Sequence, residues 1–433
     1  MKIYLVGIGG IGMSALAQLY RAEGHDVSGS DRASSPTTEL LERKGIPVVL
    51  EQKAGNVPED AELVVYSDAV WEDNPERVRA KELGMRQISY FEALGEVSKG
   101  RFTIAVTGTH GKTTTTAMLA KILKDAGKAP TAVIGSLVSE FGSNFVEGAS
   151  GGPFVVEACE YRDHVLQLSP NILVLTNVEW DHTDWFPSLE ALQETFGKAV
   201  AALPGDGVLV ANPAGANVAP VLARASCRVV DYTKEAVPEL QLIGEFNKMN
   251  ARAAVAAARA AFPDISDTMI YHSVAEFSGT WRRFEYKGKT AEGALVYDDY
   301  AHHPTAVKET LAAVREKFPG KKLVVAFHPH LFTRTRDLMD EFADAFSAAD
   351  EVLVAPIFPA REKPIPGVTA EALAEKIAAR SGKPARGYAS LADIESSLKA
   401  ESHKLKAGGI LITMGAGDIY KIASHLTSLQ ESV

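Results

Sequence analysis

The stretch Val106-Thr107-Gly108-Thr109-His110-Gly111-Lys112-Thr113-Thr114-Thr115-Thr116 carries the residue types that nucleotide chemistry needs. Glycines let backbone N–H groups close around phosphates, a lysine reaches the β- and γ-phosphates, and a threonine hydroxyl can hold Mg²⁺. The loop is tighter than the common Walker pattern, because Gly108 stands three residues before Gly111. A glycine turn with a surface lysine is the bland alternative. The β-like run Phe102 to Val106 before the loop and the helix-like run Ala117 to Lys124 after it argue for a phosphate loop.

A second glycine loop, Gly7-Ile8-Gly9-Gly10-Ile11-Gly12, follows the strand-like Lys2 to Val6, and Asp31 stands where a ribose-binding acid would. Such a loop offers amides at a helix N-terminus to any diphosphate, UDP as well as NAD, or serves only as a tight turn. Glu157 ends the apolar run from Phe154 and faces the expected phosphate site, with Glu160 close behind. Thr176-Asn177-Val178-Glu179-Trp180-Asp181-His182-Thr183-Asp184 places three acids, an asparagine and a histidine after another apolar strand. Hard oxygen donors of this kind suit Mg²⁺ bound to phosphate, although an acidic helix-capping loop reads similarly. Further on, Tyr297-Asp298-Asp299-Tyr300-Ala301-His302-His303-Pro304 could bind a ribose, a metal or an amine. His328-Pro329-His330 with Thr333-Arg334-Thr335-Arg336 suits a carboxylate or phosphate. Arg282-Arg283 could reach a nucleotide or pair with Glu285.

Strands alternating with helices must hold these groups, and that alternation implies parallel sheets. Expected strands are Asp26 to Gly29, Leu63 to Tyr66, Phe154 to Ala158, Ile172 to Thr176, Leu323 to Phe327, Glu351 to Ile357 and Ile410 to Met414. Expected helices run to about Glu23 from the first loop, and over Asn250 to Ala261, Asp337 to Ala348 and Ala370 to Arg380. Leu94 to Arg101 reads as a junction, as does the region around Ser278-Gly279-Thr280. The spacing thus predicts three α/β domains in series: a Rossmann-like domain over 1–99, a central P-loop ATPase-type domain over 100–279, and a Rossmann-like domain over 280–433.

Bulk properties narrow the class. The 433 residues are 46% hydrophobic and 23% charged, as in soluble proteins with sizeable cores. A net charge of −10 argues against a nucleic-acid binder. Two cysteines, Cys159 and Cys227, make a disulfide framework implausible and fit a reducing cytosol. No apolar run is long enough to span a bilayer, and the N-terminus reads as a first strand without a signal peptide.

Taken together and in order, Gly-Ile-Gly-Gly-Ile-Gly-Met-Ser (7–14), Gly-Thr-His-Gly-Lys-Thr-Thr (108–114), Glu-Ala-Cys-Glu-Tyr (157–161), Thr-Asn-Val-Glu-Trp-Asp-His (176–182), Arg-Arg-Phe-Glu (282–285), Asp-Asp-Tyr-Ala-His-His-Pro-Thr (298–305) and His-Pro-His-x-x-Thr-Arg-Thr (328–335) resemble the Mur ligases over nearly the whole chain. The likeness is greatest to members that add L-alanine to UDP-N-acetylmuramic acid. The resemblance implies a cytoplasmic peptidoglycan-synthesis enzyme, monomeric or homodimeric, using ATP and Mg²⁺ and meeting neither nucleic acid nor membrane.

Carried over by motif, Gly10, Ile11, Gly12 and Ser14 line the UDP diphosphate, with Asp31, Ser67 and Asn177 on the UDP-sugar side. Gly108, Thr109, His110, Gly111, Lys112, Thr113 and Thr114 hold ATP phosphates. Asn247, Asn250, Arg283 and Asp299 complete the ATP set, and Thr113, Glu157 and His182 the metal set. Lys112, Glu157, His182, His302, His330 and Arg334 are the implied catalytic residues. Two positions depart from the family's usual pattern: Phe246 where a histidine is common, and Leu331 where an arginine is common, which leaves more of the carboxylate recognition to Arg334.

The implied reaction forms an acyl phosphate on the lactyl carboxylate, which the amine of L-alanine then attacks. His302, His303 and His330 are equal candidates for the base, and domain closure around ATP is expected. Rival readings are a ligase that recycles a whole tripeptide onto the same UDP-sugar, an NAD-dependent dehydrogenase using the first glycine loop, and a nucleotide-driven switch without synthetic activity.

Overall fold

Runs such as Leu63-Val64-Val65-Tyr66 and Ile172-Leu173-Val174-Leu175 are apolar on both faces, so they can lie only where helices cover both sides of a parallel sheet. The computed structural model, which describes residues 1–400, 405 and 408–427, contains three such sheets. The first has five parallel strands in the order Val48–Val49, Asp26–Ser30, Lys2–Val6, Leu63–Tyr66, Arg86–Ser89. Its strand order reverses beside Lys2–Val6, so a crevice opens at the C-terminal ends of Lys2–Val6 and Leu63–Tyr66. The glycine loop and Ser67 stand at those ends.

The second sheet has seven strands in the order Arg228–Asp231, Val208–Ala211, Ile172–Leu175, Thr103–Thr107, Phe154–Glu157, Thr131–Val138, Ser143–Val146. Only the last pair is antiparallel. The third has six, in the order Glu285–Lys289, Leu295–Asp299, Ile410–Gly415, Leu323–His328, Glu351–Val354, Ala385–Gly387, with an antiparallel first pair. Its two faces are both apolar: Leu323, Val325 and Phe327 pack with Phe342 and Phe346, while Val324 and Ala326 pack with Leu353 and Leu411. The chain divides into two compact units. The first holds Met1–Glu179, Glu190–Gln241 and Lys248–Thr280, and so both of the first two sheets; the second holds Trp180–Leu189, Leu242–Asn247 and the chain from Trp281 onward.

Several elements differ from the expectations. Leu94 to Arg101 is not irregular chain: Tyr90–Ser98 is a helix, started by a capping box in which Ser89 and Glu92 satisfy each other's backbone amides. The helix after the phosphate loop begins at Lys112, not Ala117, because Thr113 to Thr116 are all buried inside it. The helix expected from Asn250 begins at Glu245. The one expected over Asp337 to Ala348 is Met339–Ala345, and a separate helix, Phe332–Asp337, precedes it, the two parted where the buried Leu338 leaves helical geometry at φ −114°.

The first sheet is also braced by a charge that no pattern announced. Glu76 is fully buried and accepts hydrogen bonds from Tyr4 Oη (3.0 Å), Asn56 Nδ2 (2.8 Å) and Ser30 Oγ. Removing the carboxylate strands several buried donors, each worth on the order of 1 kcal/mol or more. Glu76→Ala is expected to destabilise the protein by about 3 kcal/mol in urea denaturation; a loss below about 0.5 kcal/mol would refute the bracing role.

Candidate active site

The phosphate loop keeps its shape through contacts from two neighbouring segments of the first unit. Thr176 Oγ1 and Asn177 Nδ2 donate to the His110 carbonyl, the latter at 3.1 Å, and Asn177 Oδ1 accepts from His110 N at 2.9 Å. Thr109 N donates to Asn177 O at 3.1 Å. The His110 ring meets Glu179 Oε2 at 2.8 Å. Gly111 lies at φ +81°, and a Cβ there would fall 2.1 Å from Asn250 Oδ1, so both conformation and space require glycine. It is the N-cap of Lys112–Asp125, and no side chain caps that helix end or puts an acid in its first turn. Uncapped amides and the helix dipole favour an anion at this end.

Lys112 Nζ bonds the Gly108 and Thr109 carbonyls and sits 2.9 Å from Glu160, which is fully buried. Burial works against the ammonium, but Glu160 outweighs it, and its pKa stands above the ordinary lysine value. The lysine is thus held charged, at the loop, before any phosphate arrives. Glu157 Oε1 accepts from Thr113 Oγ1 at 3.0 Å and Oε2 accepts from Gly135 N at 2.9 Å. A Cβ on Gly135 would lie 2.4 Å from that carboxylate, so the backbone forms a close cradle for it. A hydroxyl and a carboxylate side by side at a phosphate loop are hard oxygen donors that fit Mg²⁺.

At the first glycine loop, Asp31 does not stand open. Its Oδ2 accepts from Gly9 N at 2.8 Å and its Oδ1 from Arg32 N at 2.7 Å. Gly10 is the N-cap of the helix Ile11–Ala22, again without a side-chain cap. Ser14 is buried, donating to Ile11 O at 3.0 Å and accepting from Asn144 Nδ2 at 2.9 Å. Ser67 stands at the end of its strand, its hydroxyl near Ala69 N at 3.4 Å. Asn177, expected beside the UDP-sugar, spends its amide on the phosphate loop. Asn250 stands with the first unit and Asn247 with the second, where Asn247 Nδ2 bonds Ile243 O at 2.8 Å.

The second unit gathers another polar set. Arg334, only 1% exposed, donates from Nε to Asp181 Oδ1 at 2.7 Å and from Nη1 to His330 Nδ1 at 2.8 Å. Burial alone would raise the Asp181 pKa, yet the Arg334 guanidinium beside it holds the carboxyl well below the usual range. Burial, reinforced by Arg334, pushes the His302 pKa well below 6.5 and that of His330 down to about 3. His182 lies here too, at φ +52°, its backbone N donating to Asp181. Asp299 accepts from Phe284 N and Ala301 N, both at 2.7 Å. Burial raises its pKa to about 6, although Arg283 opposes that.

Arg283 lies over the Tyr300 ring at 5.3 Å. Arg282, by contrast, is buried and structural: it donates to Asp298 Oδ2 at 2.7 Å, Gly415 O at 2.7 Å and Gly417 O at 3.0 Å.

Hydrogen-bond partners fix the histidine tautomers. A carbonyl can only accept, so His302 Nδ1, 2.9 Å from Tyr300 O, carries the proton and Nε2 keeps its lone pair. His330 Nδ1 accepts from Arg334, so its Nε2 carries the proton. His303 faces Trp180 O with Nε2 (3.2 Å) and caps its helix by accepting Thr305 N at Nδ1 (3.3 Å).

Three family models match in sequence: Mur ligase family, catalytic domain, over residues 2–102; Mur ligase middle domain over 106–240; and Mur ligase, glutamate ligase domain over 282–417. The chain is 36% identical over 450 residues to a UDP-N-acetylmuramate–L-alanine ligase of Clostridium kluyveri, covering 97% of this chain and 96% of that one. It is 35% identical to the ligase of the same name from Clostridium botulinum, with 99% and 97% covered. Among solved structures, it is similar to the UDP-N-acetylmuramate–alanine ligase of Thermotoga maritima, with TM-score 0.81, 29% identity and 98% of each chain covered. A murein peptide ligase of Psychrobacter arcticus matches with TM-score 0.73 and 25% identity, covering 99% of this chain and 100% of that one.

The buried histidines give the folded state a pH dependence. His328 is also lowered, to about 4, again chiefly by burial. A ring held neutral in the fold takes up a proton on unfolding, so its stabilisation is complete above the ordinary histidine pKa of 6.5 and is lost as pH falls toward 4 and 3. The melting temperature should therefore drop between pH 6.5 and 4, and His328→Gln should make that drop shallower; an unchanged slope would refute the histidine origin.

Proposed function

The chain belongs to the Mur ligase family, and from that premise we propose that it joins L-alanine to the lactyl carboxylate of UDP-N-acetylmuramic acid at the expense of ATP. The observation that carries the choice of amino acid is the full-length likeness to ligases named for L-alanine. In this reading 1–99 serve the UDP-sugar, 100–279 serve ATP, and 280–433 serve the amino acid. The enzyme works in the cytoplasm as a monomer or homodimer. Among the described residues, no helix is long and apolar enough to cross a membrane.

In the first step a lactyl carboxylate oxygen attacks the γ-phosphorus, the bond from that phosphorus to the β–γ bridging oxygen breaks, and ADP leaves with both electrons. Lys112 exchanges its loop carbonyls and Glu160 for phosphate oxygens, and the amides after Gly111 take the others. Thr113 and Glu157 would hold Mg²⁺, which offsets the charge of the transferring phosphoryl group when bound, and the family resemblance adds His182 to the metal set. In the second step the alanine amine attacks the acyl carbon, and the tetrahedral adduct expels phosphate. Arg334 and its Asp181–His330 setting suit the amino acid's carboxylate. His302 is the best-placed base, since its Nε2 lone pair is the one imidazole acceptor of the three candidates that the contacts above leave open. The closed Asp31, bonded to its own loop, speaks against a dinucleotide's ribose and so against the dehydrogenase.

Phosphate release with ATP and Mg²⁺ should require both UDP-N-acetylmuramic acid and L-alanine. Release with the tripeptide instead would move the chain to the recycling activity, and release without the UDP-sugar would remove the ligase reading. Lys112→Ala should lower turnover by about 10³-fold, the scale of other lost transition-state electrostatics; near-normal turnover in that variant would sink the phosphate-loop assignment.

A further inference from the structure

The hairpin Thr131–Val138/Ser143–Val146 belongs to the second sheet, yet its side chains reach the glycine loop of the first. Asn144 Nδ2 donates to Ile11 O and to Ser14 Oγ. Gln18 Nε2 donates to Asn144 Oδ1 and to Ser14 O, both at 3.0 Å, and Gln18 Oε1 accepts from Ser143 Oγ at 2.8 Å. Ser143 Oγ in turn accepts from Phe145 N at 3.1 Å. Every side-chain donor and acceptor in this chain of four is matched, and all four residues are buried, Asn144 and Ser14 completely. Satisfied networks of this kind are rigid, and breaking one member strands the rest.

We infer that Asn144 is a positioning residue that aims the Gly12 amide at the UDP-sugar's diphosphate, an inference that rests on the function proposed above. The peptide from Ile11 to Gly12 is planar and trans, so its C=O and N–H point in opposite directions. Asn144, by gripping the Ile11 carbonyl, sets the direction of the Gly12 N–H, a first-turn amide with no partner inside its helix. The same hairpin supplies the Gly135 amide that holds Glu157 against Thr113. One rigid piece thus orients the diphosphate-binding amide and the acid beside the phosphate loop. The distance between acceptor and γ-phosphate then depends on that piece and not on a hinge between the first two sheets.

Asn144→Asp keeps the shape but replaces the two N–H donors with an acceptor that repels the Ile11 carbonyl. In full-length enzyme the KM for UDP-N-acetylmuramic acid should rise about 10-fold or more, while the KM for ATP stays within about 2-fold. Gln18→Met, whose side chain does not reach the loop, should give the same split at smaller size and decides the matter if the first variant does not fold. Unchanged KM for the UDP-sugar in a folded variant would overturn the inference. So would failure of both variants to fold, since the network would then serve the fold alone. If wild-type enzyme releases no phosphate with UDP-N-acetylmuramic acid and L-alanine, the ligase reading fails separately. Equilibrium dialysis of UDP against wild type and Asn144→Asp still tests the loop, and equal affinity would overturn it.

Discussion

Closure of the loop 108–111 against Thr176, Asn177 and Asn250 is the contact on which the first unit's chemistry depends. A backbone turn this tight needs its carbonyls and amides met locally, and the side chains of Thr176 and Asn177 meet those of His110. The steric limit at Gly111 follows from that arrangement, because Asn250 comes so close that only hydrogen can point its way. The preceding strand is central in its sheet, with parallel neighbours on both sides, so the loop springs from the most rigid position available. Rigid scaffolding lets a loop carry amides toward a ligand without reorganising them as charge develops.

Three buried charges at or near the candidate sites come with a matched partner. Lys112 with Glu160, Arg334 with Asp181, and Arg282 with Asp298 each place a cation within 3 Å of a carboxylate below the surface. Pairs like these seldom add much net stability, since desolvation consumes most of the attraction. What they fix is geometry. Arg282 shows it most plainly: one guanidinium touches Asp298, Gly415 and Gly417, tying the chain just after Trp281 to the strand Ile410–Gly415 and the turn behind it. Lys112–Glu160 has the further property of being exchangeable, because a phosphate offers the lysine the same charge with more oxygen donors.

The fold was legible wherever local pattern and burial agreed. The strands Leu63–Tyr66 and Ile172–Leu175 are continuous apolar runs, and the phosphate loop declared itself by composition. Legibility failed where tertiary partners overrode composition. Thr113 to Thr116 look polar but are swallowed by a helix, since threonine hydroxyls can return hydrogen bonds to the helix backbone, as Thr116 Oγ1 does to Lys112 O. The helix Tyr90–Ser98 within the expected junction region announces itself only by a short capping box at Ser89 and Glu92. Of the site, the residue types near each loop were readable and their roles were not. Asp31 could be named from spacing and Ser14 from the family resemblance, but that Asp31 closes on Gly9 and Ser14 on Asn144 depends on atoms more than 20 residues away. Asn144 carried no motif at all.

Leu331 shows how the second unit's set is kept in place. It is 1% exposed and sits at φ +71°, ψ 135°, a conformation that a branched side chain adopts only at a cost of about 1–3 kcal/mol. Its amide is held by Phe358 O at 2.9 Å, and its carbonyl accepts Thr335 Oγ1 at 2.8 Å. The chain therefore reverses sharply between His330 and the helix Phe332–Asp337. Without that reversal, Arg334 could not return from one turn into the helix to meet both His330 Nδ1 and the His330 carbonyl. The side chain at this position is apolar, and it anchors the bend by burial. Strain at Leu331, charge pairing at Arg334 and the fixed tautomer of His330 are thus one arrangement: the bend sets the arginine, and the arginine sets the ring.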